Sequence, residues 1–224
     1  MEKKLSVEQI EYISNYVASH DIKWYELQLE LTDHMVTSME EFWAKDPELT
    51  FHQVKQYAED TFGRKGFKAI EEERTQILKR EFRKTQWKMI TAYLKFPKIF
   101  ACLLALIISY KLSFYFDKPV KFISVLFVFL LALYIPFMYS YFKNRKINGK
   151  RFLQIEISSP MVLGFGFMNL GLNFGNVCKE WVEQYNVLRI IFCAIWVLGI
   201  LIFITGKQIY KNSLANIKKQ YQLT

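Results

Sequence analysis

The sequence predicts an all-α protein, with a small cytosolic helical bundle followed by a four-helix transmembrane region. Three observations predict it. Four apolar runs of about 20 residues lie in the C-terminal two thirds, the length a helix needs to cross a bilayer. The first third instead carries apolar residues at helical three- and four-residue spacing. Charge divides at the same place: residues 1–75 hold nine Lys/Arg and sixteen Asp/Glu, whereas residues 76–224 hold twenty-one and five. The pI of about 9.3 therefore describes an acidic head joined to a basic, apolar body. It does not describe a nucleic-acid surface, which needs its cations clustered on a soluble domain.

In the head, Ser6-Val7-Glu8-Gln9 has the form of a capping box, and Ile10, Ile13 and Val17 follow as an apolar stripe. A second helix is expected from about Lys23 to Ala44, with Trp24, Leu27, Leu31, Met35, Met39 and Phe42 on its core face. Asp46-Pro47 stops it. Thr50 and Gln53 form another capping box, and Gly63 suits a C-terminal stop. A last helix from about Phe67 changes from acidic to basic along its length, as suits an approach to anionic lipid. The opening stretch is polar and acidic, so no signal peptide is expected.

The expected domains are an acidic cytosolic helical domain at 1–75, a basic juxtamembrane helix at 76–96, transmembrane helices at about 97–116, 122–142, 158–177 and 187–206, and a basic cytosolic tail at 207–224. Lys/Arg excess before the first run, in "KNRKINGKR" (143–151) and in the tail places both termini in the cytoplasm. The third run is the least apolar. Its Gly164, Gly171 and Gly175 share a helix face, "GLNFG" is a GxxxG pattern, and Asn169 and Asn173 lie one turn apart. These five residues are the candidate helix-packing or partner face.

Glu26, Glu30, Asp33 and His34 are the candidate head-domain surface, since they fall largely off the core stripe where water solvates them. Glu30 and His34 are an i, i+4 pair of metal-ligating types, but a metal needs more ligands, and only His20 and His52 add imidazoles. The three cysteines form no CxxC pair. No GxSxG, P-loop, HExxH or paired intramembrane carboxylates occur, so neither an enzyme nor a cofactor nor a metal is expected.

The head resembles a known module. "ELQLELTDHMVTSMEEF" followed by "ELTFHQVKQYAEDTFG" is similar to the helical prefix domain found before membrane spans in bacteria, in its HAAS-type and permease-prefix forms. The elements that carry the likeness are Glu30, Asp33 and His34, then Thr50, Gln53 and Val54, then Phe62 and Gly63. Val54 stands where the pattern has a small Ala, and "AKDPEL" replaces its glycine-bearing turn. The likeness covers about residues 5–70. It implies a bacterial inner-membrane protein with a cytosolic regulatory or interaction domain, and no transport activity is carried over. The expected partners are the lipid bilayer and a protein, cytosolic or membrane-bound, with no nucleic acid and no identified small-molecule substrate. A regulatory membrane protein is the first reading; an accessory subunit of a larger membrane complex or transporter is the alternative.

Overall fold

The computed structural model describes residues 4–63, 66–159 and 179–222, together with Gly166, Asn169, Asn173 and Val177. The described chain is almost entirely helical and divides into two compact units. One comprises Met1–Lys79 with Lys146–Ile157, and the other Arg80–Arg145 with Ser158–Thr224.

The first unit is built on α1 (Val7–Ser19), α2 (Tyr25–Lys45), α3 (Phe51–Asp60) and the first half of α4 (Gly66–Tyr93). Both expected capping boxes form. Ser6 Oγ accepts from the Gln9 amide while Gln9 Oε1 accepts from the Ser6 amide at 2.9 Å, and Thr50 and Gln53 repeat the exchange. Orphan amides at each helix start are thus satisfied from within the chain. Gly63 takes a φ of +70°, a conformation glycine adopts without steric cost, just after α3 ends. Four residues of the expected α2 stripe, Leu27, Leu31, Met35 and Met39, are fully buried; Trp43 rather than Phe42 extends it, and Trp24 and Phe42 are half-buried at its edge. They pack with Ile13 and Val17 of α1 and with Val54 and Ala58 of α3. Trp43 closes the end of this core by donating from Nε1 to the Leu49 carbonyl at 2.9 Å.

The 146–157 segment completes this unit. Strands β1 (Lys146–Ile147) and β2 (Lys150–Arg151) pair antiparallel, with Lys146 opposite Arg151 and Ile147 opposite Lys150. Asn148 (φ +49°) and Gly149 (φ +79°) make the turn, and a two-residue hairpin with both positions left-handed is the geometry Asn-Gly favours. A single-turn helix, α7 (Leu153–Ile157), follows.

The second unit contains the rest of α4, α5 (Ile99–Leu112, running on into a 3-10 turn at Ser113–Tyr115), α6 (Pro119–Asn144), α8 (Lys179–Gln184) and α9 (Asn186–Gln220). Among the described residues two helices are long and apolar enough to cross a membrane: α6, with a mean hydropathy of 2.4 in its most apolar window, and α9, with 2.8. The expected spans 122–142 and 187–206 fall inside them. The expected span 97–116 coincides with α5 and its 3-10 turn, an apolar helix shorter than those two. Of the expected span 158–177, Gly164, Gly171 and Gly175 lie outside the described residues.

Helices α6 and α9 are joined by rings. Tyr134 meets Phe203 with centroids 4.7 Å apart, and Phe137 meets Tyr210 at 5.2 Å. Trp196 Nε1 donates to the Leu126 carbonyl at 2.8 Å, which gives an indole N–H in an apolar environment its partner. Gly199 is buried against Leu130 so closely that an added Cβ would lie 2.9 Å from Leu130 Cδ2. Arg189 donates to the carbonyls of Val182 and Glu183 at the C-terminal end of α8, so the guanidinium is satisfied by backbone rather than by a carboxylate.

Two expected boundaries change. Residues 146–157, read as part of a loop between spans, belong to the head. The basic tail expected from 207 begins within the same helix as the apolar run: α9 continues through Gly199 and Gly206 to Gln220, and no Pro interrupts it.

Candidate functional site

The site is the place where the head of the first unit holds the segment 146–157. It is assembled from the start of α2, the first half of α4 and the hairpin with α7. Leu153 is 3% exposed and belongs to the same apolar cluster as Leu27, Leu31 and Met35, while Phe152 and Ile155 are each 1% exposed. Phe152 stands edge-on to Tyr25, ring centroids 5.8 Å apart. The two cations of β2 lie on aromatic faces of the head: Lys150 Nζ is 3.6 Å from the Tyr25 ring centre and Arg151 Cζ 4.9 Å from that of Trp24. Such contacts contribute about 0.5–1 kcal/mol each where water still reaches the cation. Trp24 is itself fixed by its Nε1 donating to Glu71 Oε1 at 2.6 Å, and Arg151 pairs with Glu156 at 3.4 Å.

Glu26 is the polar centre of this arrangement. Its Oε1 accepts from the Gln154 amide at 3.1 Å, at the start of α7, where helix amides have no partner within their own helix. Its Oε2 is buried and meets no donor at bonding geometry among the described residues. Burial pushes the Glu26 carboxyl above the ordinary carboxylate range; its own amide, those of Gln154 and Leu153, and the Arg74 charge pull it back only in part. A carboxyl raised in the folded state contributes most stability below its unfolded pKa of about 4.5, and that contribution falls as pH rises through the higher folded value. Docking of the segment is therefore firmest in mild acid. Glu26→Gln should keep the acceptor for the Gln154 amide, hold stability at pH 7 at or above wild type, and flatten the pH dependence. Thermal unfolding of the full chain between pH 5 and pH 8 checks this, with Glu26→Ala as the variant that loses the bond.

The four head residues chosen from the sequence part company here. Glu26 is half-buried rather than fully solvated, because its Oε1 is taken up by the Gln154 amide and its Oε2 is shielded from water. Glu30 is half-exposed and reaches Arg74 of α4 at 4.0 Å, a pair too open to water to add much stability. Asp33 and His34 are exposed on the same helix. Among the described residues no group of three or more His, Cys, Asp or Glu is placed to hold a metal. In the third apolar run, Asn169 and Asn173 are exposed and the Asn173 side-chain amide donates to Asn169 Oδ1 along the helix. Gly164, Gly171 and Gly175, the remainder of that candidate face, cannot be placed with them.

Trp24 and Tyr25 as ring platforms, and Phe152 and Leu153 packed against the head, are the residues of this candidate site that the sequence patterns did not mark. Two signals point to them. Asn148-Gly149 is a strong hairpin signal, and "RFLQIEI" places Phe152, Leu153, Ile155 and Ile157 in too short an apolar stretch to be part of a span.

A second feature of the same unit is an open hollow of about 610 Å³ bordered by His20, Glu59, Asp60, Phe67 and Lys68. Beside it, Tyr16 donates to Glu59 Oε1 at 2.5 Å. Burial, then this bond and the Glu59 charge, raise the Tyr16 phenol above its ordinary value, so it stays a donor across the physiological range. No family model, curated protein or solved structure matches the chain.

Proposed function

We propose that the chain is a multi-pass protein of the bacterial cytoplasmic membrane, whose cytosolic head exerts a regulatory effect through protein contact. The observation that carries the proposal is the burial of Leu153 in the head core. The segment that supplies Leu153 follows α6 directly, so a partner that loosens or tightens the head acts on the chain leaving the membrane. The resemblance of residues 5–70 to bacterial prefix domains supports the same reading and supplies the bacterial assignment. The exposed Asp33 and His34 offer a polar surface for the partner.

Parity supports the membrane topology. Residues 5–79 and 146–157 share one core, so they lie on one side of the bilayer, and the chain between them crosses an even number of times. If α6 crosses, α5 must cross as well. At 14 residues plus a 3-10 turn it measures about 27 Å, close to the hydrocarbon thickness. The basic stretch 143–151 puts that shared side in the cytoplasm. Lys207, Lys211, Lys218 and Lys219 support a cytoplasmic end for α9 as well, in keeping with four spans.

The topology is tested by placing single cysteines at Lys146 and at Glu183, both exposed, in a chain otherwise free of cysteine. An impermeant maleimide added to intact cells should label position 183 alone, and position 146 only after permeabilisation. Labelling of position 146 from outside sinks the topology. The regulatory reading is tested by native-detergent purification of wild type and a Leu153→Asp variant. An unchanged set of associated proteins, with segment 146–157 released, would contradict it.

A further inference from the structure

The second half of α4 has two unlike faces. Gln86 and Ile90 are buried, with Phe82, Met89 and Tyr93 half-buried beside them. Arg80, Arg83, Lys84 and Lys88 are all exposed, and Trp87 stands among them at 57% exposure. Glu81 is the lone acidic residue between positions 80 and 95. Among the described residues none of the four cations is engaged in an ion pair.

The depth of this helix is fixed by its buried face. Gln86 Nε2 donates to the Ile202 carbonyl of α9 at 3.2 Å, and Ile90 packs with Leu201 and Ile202. Those contacts fall one turn before the apolar run of α9 ends at Gly206, beyond which Lys207 and Lys211 are exposed. If α9 spans the bilayer, the cationic face of α4 lies at the level where the apolar run gives way to headgroups. An exposed indole among cations at that level is the arrangement that suits an interfacial anchor.

We propose that the exposed face of α4 from Arg80 to Lys88, with Lys207 and Lys211 of α9, is a collar that binds anionic phospholipid headgroups. This rests on the membrane reading above. From Arg80 to Lys88 the helix rises about 12 Å, too far for one phosphate and suited to a row of headgroups. Each cation close to an anionic surface contributes severalfold to the preference for it.

The test uses the full chain reconstituted in phosphatidylcholine vesicles containing about one third phosphatidylglycerol, with the lipid retained by the purified protein measured. Wild type should enrich phosphatidylglycerol. Replacing Arg80, Arg83, Lys84 and Lys88 by Gln should lower that enrichment at least about tenfold. Exchanging Arg for Lys and Lys for Arg at the same four positions should retain it, as should Gln at the head positions Lys4, Lys23, Lys45 and Lys68. Equal enrichment in wild type and the quadruple Gln variant would overturn the collar. So would loss of the enrichment in excess soluble glycerol phosphate at constant ionic strength, which would mark a site for a free anion. An alkaline carbonate wash separates the two readings. Release of the chain from vesicles sinks the membrane reading, whereas a chain that stays without preferring phosphatidylglycerol sinks the collar alone.

Discussion

A Leu153→Asp variant of the full chain should lose most of the stability of its head. Leu153 is a core residue of a domain that lies more than seventy positions away in sequence. Truncation to Ala at such a site costs about 2–5 kcal/mol, because transfer energy is lost and a cavity remains. A carboxylate there has no partner to offset its desolvation, so Asp costs more than Ala. Domains of this kind are stable by about 5–15 kcal/mol, so the change takes a large share of the total. Denaturant unfolding followed through Trp24 and Trp43 measures it. Lys146→Ala, an exposed change in the same segment, should stay within about 0.5 kcal/mol of wild type. A Leu153→Asp variant that unfolds at the wild-type midpoint would show that the segment does not belong to the head core.

Gly199→Leu should separate α6 from α9. A Cβ at position 199 already lies 2.9 Å from Leu130 Cδ2, and Leu130 is 1% exposed, so its side chain has little room to yield. The three further carbons of Leu enlarge the clash, and overpacking of this kind costs about 1–3 kcal/mol or more. Gly199→Ala should cost less, because it meets only the end of a side chain. Adding Leu130→Ala to Gly199→Leu should restore part of the loss, so the two changes are not additive. Thermal stability of the detergent-solubilised chain reads all four combinations. A Gly199→Leu variant that melts like wild type would remove the close approach of the two helices.

Much of the head was legible because each of its features is local. A capping box needs residues three apart, and a core stripe needs only a helical period, so Ser6, Thr50 and the Leu27–Leu31–Met35–Met39 row could be read directly. What could not be read was the partner of that row. Leu153 reaches it from beyond α5 and α6, and no pattern within residues 1–75 records a missing core residue. An expectation that the head is self-contained therefore fails on one leucine. Glu26 illustrates the same limit. Its spacing with Glu30 and Asp33 marks a polar helix face, but its burial depends on backbone from Leu153 and Gln154. Among the described glycines the tight contact is made by Gly199, which has no GxxxG pattern around it; Gly171 and Gly175, which have one, lie outside the described residues.

Membership of segment 146–157 in the head is reported most directly by the Gln154 amide. It is held by Glu26 Oε1 across a half-buried contact. Hydrogen exchange of the full chain, resolved to peptides covering 152–157, should show Gln154 protected to the same degree as the core amides of α2, with that protection abolished in Leu153→Asp. Exchange of Gln154 at the rate of an open loop in the wild-type chain, while α2 remains protected, would contradict the account.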